Sequence, residues 1–201
     1  PDVLAEAERM GYRRAQTLYD VLFATPENRR FKWPDPVAQG RDTTLLKEIL
    51  DKTVKRVTTD LKEQPEVQAE ICNTIGEVYR ALGQLKKAEE MHREARRLQS
   101  QTPGARRAAV ATSLTDLAFV LRDQGQLAEA ETLQREALAL RRDLHGKEHP
   151  DVALSLNSLG VVLRSQGKPA EAERCLREAL AMQKKLLGRE HVAISTSLNN
   201  L

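Results

Sequence analysis

One helix-like phrase occurs three times in this chain at a constant spacing. It reads GQLKKAEEMHREARRL from Gly83, GQLAEAETLQREALAL from Gly125 and GKPAEAERCLREALAM from Gly167, so the copies lie 42 residues apart. The segment before each glycine keeps the same period, as its aligned apolar positions show: Cys72, Leu114, Leu156 and Leu198, then Ile75, Leu117, Leu159 and Leu201. A fixed period of this length predicts a repeat architecture, in which neighbouring units bury apolar faces that one unit cannot bury alone.

The residue pattern of each unit predicts two helices joined at a glycine. In the first complete unit, apolar residues recur at intervals of three and four, which predicts a helix over residues 66–82. Gly83 then predicts a left-handed C-terminal cap, and a second helix follows over residues 85–99. Ala88 and Ala95 lie seven residues apart on one face of that second helix. Such small side chains let the paired helices approach closely.

The residues that recur resemble the framework of the tetratricopeptide repeat. In the first complete unit they are Cys72, Ile75, Gly76, Tyr79, Ala88 and Ala95, and in the third Leu156, Leu159, Gly160, Leu163, Ala172 and Ala179. The usual period of that family is about 34 residues; the 42-residue form is similar to the repeats of kinesin light chains and of many bacterial signalling proteins. The resemblance covers residues 40–201 and implies an all-α chain, a right-handed α-solenoid of antiparallel helix pairs with an N-terminal capping helix.

The domain organisation follows from this register. Residues 1–24 are predicted to form an N-terminal helix that covers the first repeat, and residues 25–42, with three prolines, an extended linker. The solenoid is predicted over 43–201, and its parts are a degenerate unit at 43–65, repeats at about 66–107, 108–149 and 150–191, and the start of a further repeat at 192–201. Pro150 suits the first turn of a helix.

The two ends suggest a longer parent protein. The chain starts without Met, and SLNNL from Ser197 repeats SLNSL from Ser155, so the sequence stops inside a first helix. We expect a fragment with more repeats after it. The stretches GRDTTLLKEILDK, QPEVQAE and TIGEVYRALG also resemble the start of the repeat array in some bacterial serine/threonine protein kinases. No kinase signature occurs in the chain itself.

The resemblance implies that the first helices line a concave groove, which usually holds the ligand. If Cys72, Ile75 and Tyr79 point into the stack, helical geometry turns other positions of the same helix toward that groove. This reasoning selects ten candidate peptide-binding residues: Asn73, Glu77, Arg80, Thr115, Phe119, Arg122, Asn157, Val161, Arg164 and Asn199. Asparagine pairs with the N–H and C=O of an extended peptide, arginine pairs with carboxylates, and Phe119 and Val161 would form an apolar strip.

A purely structural interpretation of the same residues stands beside this one. Arginine near the end of a helix suits the negative end of the helix dipole without any ligand. Asparagine before leucine can cap a helix or bridge adjacent repeats. Trp33, flanked by prolines, is a candidate lid for the cap or a partner contact, although packing against its own solenoid is the favoured interpretation.

Signatures of chemistry are scarce. His145-Gly146-Lys147-Glu148-His149 matches HxxEH, an inverted zinc-protease pattern. That pattern needs both histidines on one helix face, whereas Gly146 and Pro150 predict a helix end there. Glu-His recurs at Glu190-His191 without the first histidine, so the loop interpretation is favoured. His92 is interpreted as a packing or surface residue, and Cys72 and Cys175 lack the spacing of a zinc site or disulfide framework. No catalytic residue, metal or cofactor is predicted.

These observations predict a non-catalytic scaffold that binds an extended, acidic peptide in its groove. The alternative is an oligomerising or sensor module of a larger bacterial signalling protein such as a serine/threonine kinase. The net charge of +3 is mild and spread out, which does not indicate nucleic acid, and no apolar run is long enough to span a membrane. The predicted partner is therefore a protein or peptide, with self-association as a further option. The compartment is cytoplasmic by default, and extracytoplasmic for a membrane-anchored kinase.

Overall fold

The computed structural model describes residues 44–101, 107–187 and 192–201, and every regular element in them is an α-helix. The predictions for the N-terminal helix, the linker and Trp33 lie outside the described residues. The helices are α1 (Thr44–Asp60), α2 (Pro65–Ala81), α3 (Leu85–Gln101), α4 (Arg107–Asp123), α5 (Leu127–His145), α6 (Pro150–Ser165), α7 (Pro169–Leu187) and α8 (Val192–Asn200). The predicted all-α class is confirmed.

The chain divides into two compact units, Pro1–Pro103 and Gly104–Leu201. The N-terminal unit contains α1 to α3, and the C-terminal unit contains α4 to α8. Helices α2 and α3, α4 and α5, and α6 and α7 pack as pairs, so the 42-residue period of the sequence corresponds to one helix pair.

In the N-terminal unit, α2 packs against both α1 and α3. The predicted core positions Cys72, Ile75 and Tyr79 are all buried. The Tyr79 hydroxyl donates a hydrogen bond of 2.5 Å to Asp51 Oδ1, and Lys87 Nζ lies 2.7 Å from the same oxygen. One carboxylate of α1 therefore joins α2 and α3, because it accepts from both.

Each first helix of a pair ends as the sequence predicts. Gly83 has a φ of +71°, in the left-handed region that favours glycine. Its N–H donates to the carbonyl of Arg80 at 3.0 Å, and the N–H of Gln84 donates to Tyr79 at 2.8 Å. This pair of bonds is the Schellman motif, and it recurs at Gly125 and Gly167. Each turn thereby gives a hydrogen-bond donor to two carbonyls that have no partner within the helix.

Close approach within a pair depends on one small residue. A Cβ added to Gly76 would lie 2.6 Å from His92 Nε2, and one on Gly160 would lie 2.7 Å from Leu176 Cγ. His92 is fully buried, so it is a packing residue, one of the two interpretations that the sequence left open.

In the C-terminal unit, the first helices of successive pairs lie side by side, because α4 contacts α6 and α6 contacts α8. The core beneath them is built from leucine, valine and alanine: Leu114, Leu117, Leu121, Leu133, Ala137, Leu138, Val152, Leu156, Leu159, Val162, Leu163, Ala172 and Ala179. Leu198, aligned with buried Leu156, is 53% exposed. Leu156 is buried because α7 packs on it.

Candidate binding groove

A groove opens along the side-by-side helices α4, α6 and α8 of the C-terminal unit. It encloses a cavity of about 490 Å³. Five of the ten residues selected from the sequence line it: Thr115, Phe119, Arg122, Asn157 and Val161. The structure therefore brings predicted residues of two neighbouring repeats, those on α4 and α6, together on one surface.

Two residues predicted for the same surface do not line the cavity. Arg164 is exposed, and its Nη1 donates to the carbonyl of Asn200 at 2.6 Å. Asn199 is exposed as well, and the cavity is lined instead by Thr196 and Asn200, which lie one turn apart on α8. The aligned positions Leu154 and Ser158 of α6 also line it. The lining face is therefore wider than the predicted stripe and extends one turn earlier.

The remaining three candidates belong to the N-terminal unit. Asn73, Glu77 and Arg80 are each partly buried on α2. Asn73 Oδ1 lies 3.1 Å from His92 Nδ1, and the carbonyl of Arg80 accepts the cap bond from Gly83. Both residues thus have structural roles, and their part in a binding surface stays a prediction.

Arg122 lies over an aromatic ring on α4. Its guanidinium carbon is 5.3 Å from the centre of the Phe119 ring, and Nη2 is 2.6 Å from Asp123 Oδ1. A cation held on a ring face and paired with a neighbour is oriented, while its side chain keeps 22% of its surface exposed. Arg122 is therefore a positioned charge at the edge of the groove.

The floor of the groove is polar and already hydrogen-bonded. Thr115 Oγ1 donates to the carbonyl of Ala111 at 2.9 Å, and Asn157 Oδ1 accepts from Asn200 Nδ2 at 3.2 Å. Both Thr115 and Asn157 are buried. They shape the floor more than they present free groups, which limits the peptide contacts expected of Asn157.

Leu154 and Arg141 are among the lining residues that the sequence analysis did not select. Leu154, on α6, is 49% exposed within the groove, and Arg141, on α5, reaches the cavity from the second helix of its pair. Arg141 could have been noticed, because the aligned positions 99 and 183 carry glutamine. Burial of Arg141 lowers the pKa of its guanidinium, while Asp151 and Asp116 act in the opposite direction.

A group of two imidazoles and a carboxylate lies beside the groove. Asp151 Oδ2 is 3.5 Å from His145 Nε2 and 3.6 Å from His149 Nδ1, and the two rings stack at 4.0 Å. These are ligand types that could hold a zinc ion, yet His149 Nδ1 already accepts the N–H of Asp151 and caps α6. Glu148 of the HxxEH match does not join them, because it pairs with Lys185. Gly146 ends α5 with a φ of +80°, as the loop interpretation predicts.

The cysteines are both free thiols. Cys72 is buried in the core of the N-terminal unit, and burial raises its pKa to about 11, with Glu94 adding to the effect. A thiol with a raised pKa is a poor nucleophile and a poor metal ligand. Cys72 therefore acts as a small apolar core residue.

Comparisons with known proteins agree with the helix pairs. The family model of the tetratricopeptide repeat matches residues 68–143 and again residues 109–185. The chain is also similar to the crystal structure of BtubC (BKLC) from P. vanneervenii, with 21% identity and a TM-score of 0.66 over 79% of this chain. That match spans 65% of the other chain, which is less than two thirds of it.

A second similar structure is a protein described as a kinesin light chain of Podosopora anserina, with nearly identical TPR-like repeats. It is 23% identical, with a TM-score of 0.65 over 96% of this chain and 84% of that one. A variant of the same protein is 21% identical, with a TM-score of 0.67 over 100% of this chain and 85% of that one. At this level of identity the two similar structures show the fold alone. That fold agrees with the predicted kinesin-light-chain-like repeats. In the part of the chain that the structure describes, no helix is both long and apolar enough to cross a membrane.

Proposed function

Because the chain belongs to the tetratricopeptide repeat family, we propose that it is a non-catalytic scaffold that binds an extended peptide segment in the groove of its C-terminal unit. The observation that carries this proposal is the cavity of about 490 Å³ along α4, α6 and α8. A cavity of this size holds a few peptide side chains rather than a whole domain surface.

The apolar part of the groove suits one hydrophobic side chain of the ligand. Phe119 and Val161 are partly exposed there, and Leu154 adds a larger exposed surface from the same side of α6. These three side chains come from two neighbouring repeats, as expected if the ligand lies across the helices. An apolar anchor residue of the peptide would bury against them.

The charges of the groove favour acidic residues at particular positions of the ligand. Arg122 and Arg141 line the cavity, but so do Asp116 and Asp151. A uniformly acidic peptide would meet both aspartates, whereas separate acidic residues beside the arginines would not. The proposed ligand is therefore an extended segment with an apolar anchor and acidic residues near it. Arg164 is proposed to extend the same preference within the C-terminal unit, and a binding role of Arg80 stays a separate prediction for the N-terminal unit.

Self-association remains the alternative hypothesis, with a sensor role in a larger bacterial signalling protein. Exposed leucines on α6 and α8 support it, since Leu154 and Leu198 are 49% and 53% exposed. The two hypotheses differ in one respect. Peptide binding saturates at a fixed protein concentration, whereas self-association changes the scattering mass as the protein is diluted.

A peptide screen with the purified chain tests the proposal. Peptides enriched from a library are remeasured by fluorescence polarisation at low and high salt, because attraction between exposed charges weakens with ionic strength. The test variant is Arg122→Glu, and a triple variant adds Arg80→Glu and Arg164→Glu. We expect enriched peptides to carry acidic residues and an apolar residue, and to lose affinity for both variants.

The matched control is Arg174→Glu, which makes the same charge change at an exposed position of α7 away from the cavity. If the control and Arg122→Glu lose binding equally, the loss comes from the change in net charge and not from the groove. If no peptide is enriched and the scattering mass falls on dilution, the alternative replaces the proposal.

A further inference from the structure

A buried arginine lies under the groove without a carboxylate partner. Arg141 is only 6% exposed although it carries a charge. Its Nη1 donates to Ser155 Oγ at 2.6 Å and to Thr115 Oγ1 at 3.1 Å, and both acceptors are neutral hydroxyls. Among the described residues, no carboxylate oxygen lies within 4.0 Å of the guanidinium. Asp116 and Asp151 attract the guanidinium only from a longer distance, so the cost of burying its charge is not offset by a direct ion pair.

The neighbouring repeat shows that packing at this position does not need a cation. The position 42 residues later is Gln183, which is also buried. There Ser197 Oγ donates to Gln183 Oε1 at 2.7 Å, so a neutral amide makes the same bridge to the next first helix. Ser197 is aligned with Ser155. The hydrogen bond therefore accounts for a polar side chain at position 141, and the bridge to the next first helix does not require the positive charge.

Donors of Arg141 remain for a ligand. A guanidinium carries five N–H groups in a fixed fork, and both hydrogen bonds to described residues start from Nη1. Arg141 lines the cavity together with Phe119 and Val161. A ligand that fills the cavity therefore lies beside Arg141, whose Nε and Nη2 make no hydrogen bond to the described residues, and a charge-assisted bond is strong in such surroundings.

We infer that Arg141 is the anchor for one acidic side chain of the bound peptide, an inference that rests on the proposed peptide-binding function. The ligand group is a single carboxylate of Asp or Glu. Asp116 and Asp151 line the same cavity and attract the guanidinium, so a singly charged carboxylate is repelled less there than a phosphate. The carboxylate makes the direct ion pair that Arg141 lacks in the folded chain, so its binding energy comes from a preorganised, desolvated cation.

The test is a binding cycle with Arg141→Gln, which installs the residue found at positions 99 and 183 and keeps a donor for Ser155. The probe is an acidic peptide enriched in the screen, with its C-terminus amidated, beside versions in which each Glu or Asp becomes Gln or Asn. For the native protein, one of these changes should weaken binding at least about 30-fold, as for other buried charge pairs. For Arg141→Gln, the parent peptide should bind weakly and the same change should have no further effect.

Arg122→Gln is the matched control, since it removes the other arginine of the cavity and should weaken binding without abolishing the response to that peptide change. Acidic peptides that bind Arg141→Gln as tightly as the native protein would overturn the anchor and leave the groove proposal intact. No peptide binding by the native protein would overturn both. If binding depends on Arg141 only for a peptide with a free C-terminus, or only for a phosphorylated peptide, the group that Arg141 anchors is that C-terminal carboxylate or that phosphate. Either result would overturn the side-chain carboxylate as the ligand group.

Thermal unfolding gives a second reading that does not need a ligand. Because Arg141 makes no direct ion pair and Asp116 and Asp151 attract it only from a longer distance, Arg141→Gln should change Tm little. A clear fall in Tm would make Arg141 a structural residue and overturn the inference.

Discussion

In the N-terminal unit, the amide of Asn73 faces the buried imidazole of His92, with Asn73 Oδ1 3.1 Å from His92 Nδ1. The other ring nitrogen, Nε2, has no hydrogen-bond partner among the described residues. Protonating this nitrogen would bury an N–H without an acceptor. Burial, and then the charge of Arg80, lower the pKa of His92 to about 4.

The stability of the N-terminal unit should therefore fall in mild acid. An unfolded histidine titrates near pH 6.5, so between about pH 6.5 and 4 the unfolded chain binds a proton that the native His92 does not. Stability is constant above this window, decreases as pH falls through it, and loses roughly 3 kcal/mol at most. Urea unfolding followed by circular dichroism at a series of pH values measures this slope.

The control for this prediction is His92→Gln, which places there the residue that the next repeat has at Gln134. The two proteins differ only at position 92, so the difference between their pH profiles belongs to His92. Identical profiles would contradict the lowered pKa of His92.

Gly76→Ala should destabilise the same helix pair by about 1–2 kcal/mol, because overpacking outweighs the better helix propensity of alanine. The added Cβ would lie 2.6 Å from His92 Nε2, and the buried ring is held against Asn73. Urea unfolding at neutral pH measures the loss.

The rescue variant is Gly76→Ala with His92→Gln, since the next repeat carries alanine and glutamine at these two positions, Ala118 and Gln134. We expect the double variant to recover most of the lost stability. If the two changes simply add, the contact between position 76 and position 92 does not limit the packing.

The fold could be predicted from the sequence because each structural role recurs at a fixed spacing. Gly83, Gly125 and Gly167 all adopt positive φ and end a first helix, and one such glycine alone would have been weak support. Buried positions such as Ile75 and Leu117 followed from the same alignment. Repetition averages out the local ambiguity that limits single helices.

The binding groove was less predictable because its residues are those in which the repeats differ. Alignment placed Asn199 in the groove, although α8 presents Thr196 and Asn200 there. It also restricted the candidates to first helices, whereas the long side chain of Arg141 reaches the cavity from α5. A long side chain can extend across a helix contact, and sequence spacing alone does not reveal this.

Glu131, on α5, pairs with Lys168 in the turn before α7 and should contribute to acid sensitivity of the C-terminal unit. The hydrogen bond from Lys168 lowers the pKa of Glu131 to about 2, with Arg135 adding to this against the effect of burial. Since the native pKa is depressed, the stabilisation is present above about pH 4.5 and is lost as pH falls toward 2. Glu131→Gln should cost up to about 1 kcal/mol at neutral pH.

Unfolding of Glu131→Gln at pH 7 and in the acid range measures this contribution. The control is Glu173→Gln, because Glu173 pairs with Arg177 within α7 and both side chains are well exposed. We expect little change in the control. Equal losses in the two variants would mean that the pairing of Glu131 with Lys168 stabilises the chain no more than an exposed ion pair within one helix.

Leu154→Ser should weaken peptide binding and also cost stability. The side chain is 49% exposed and lines the cavity beside Phe119 and Val161, so about half of its surface is available to a ligand and the other half is buried in the free protein. Covering the exposed part with a ligand's apolar residue would contribute about 1.4 kcal/mol, which corresponds to about tenfold in Kd. Fluorescence polarisation and thermal unfolding of the same preparations measure the two effects.

Leu186→Ser is the matched control, since Leu186 is 38% exposed on α7 and does not line the cavity. Loss of affinity in Leu154→Ser alone locates the apolar anchor of the ligand on the α6 face of the groove. If both leucine variants bind like the native protein, the anchor lies elsewhere. If Leu154→Ser instead abolishes a concentration-dependent dimer in light scattering, this face joins two copies of the chain rather than a peptide.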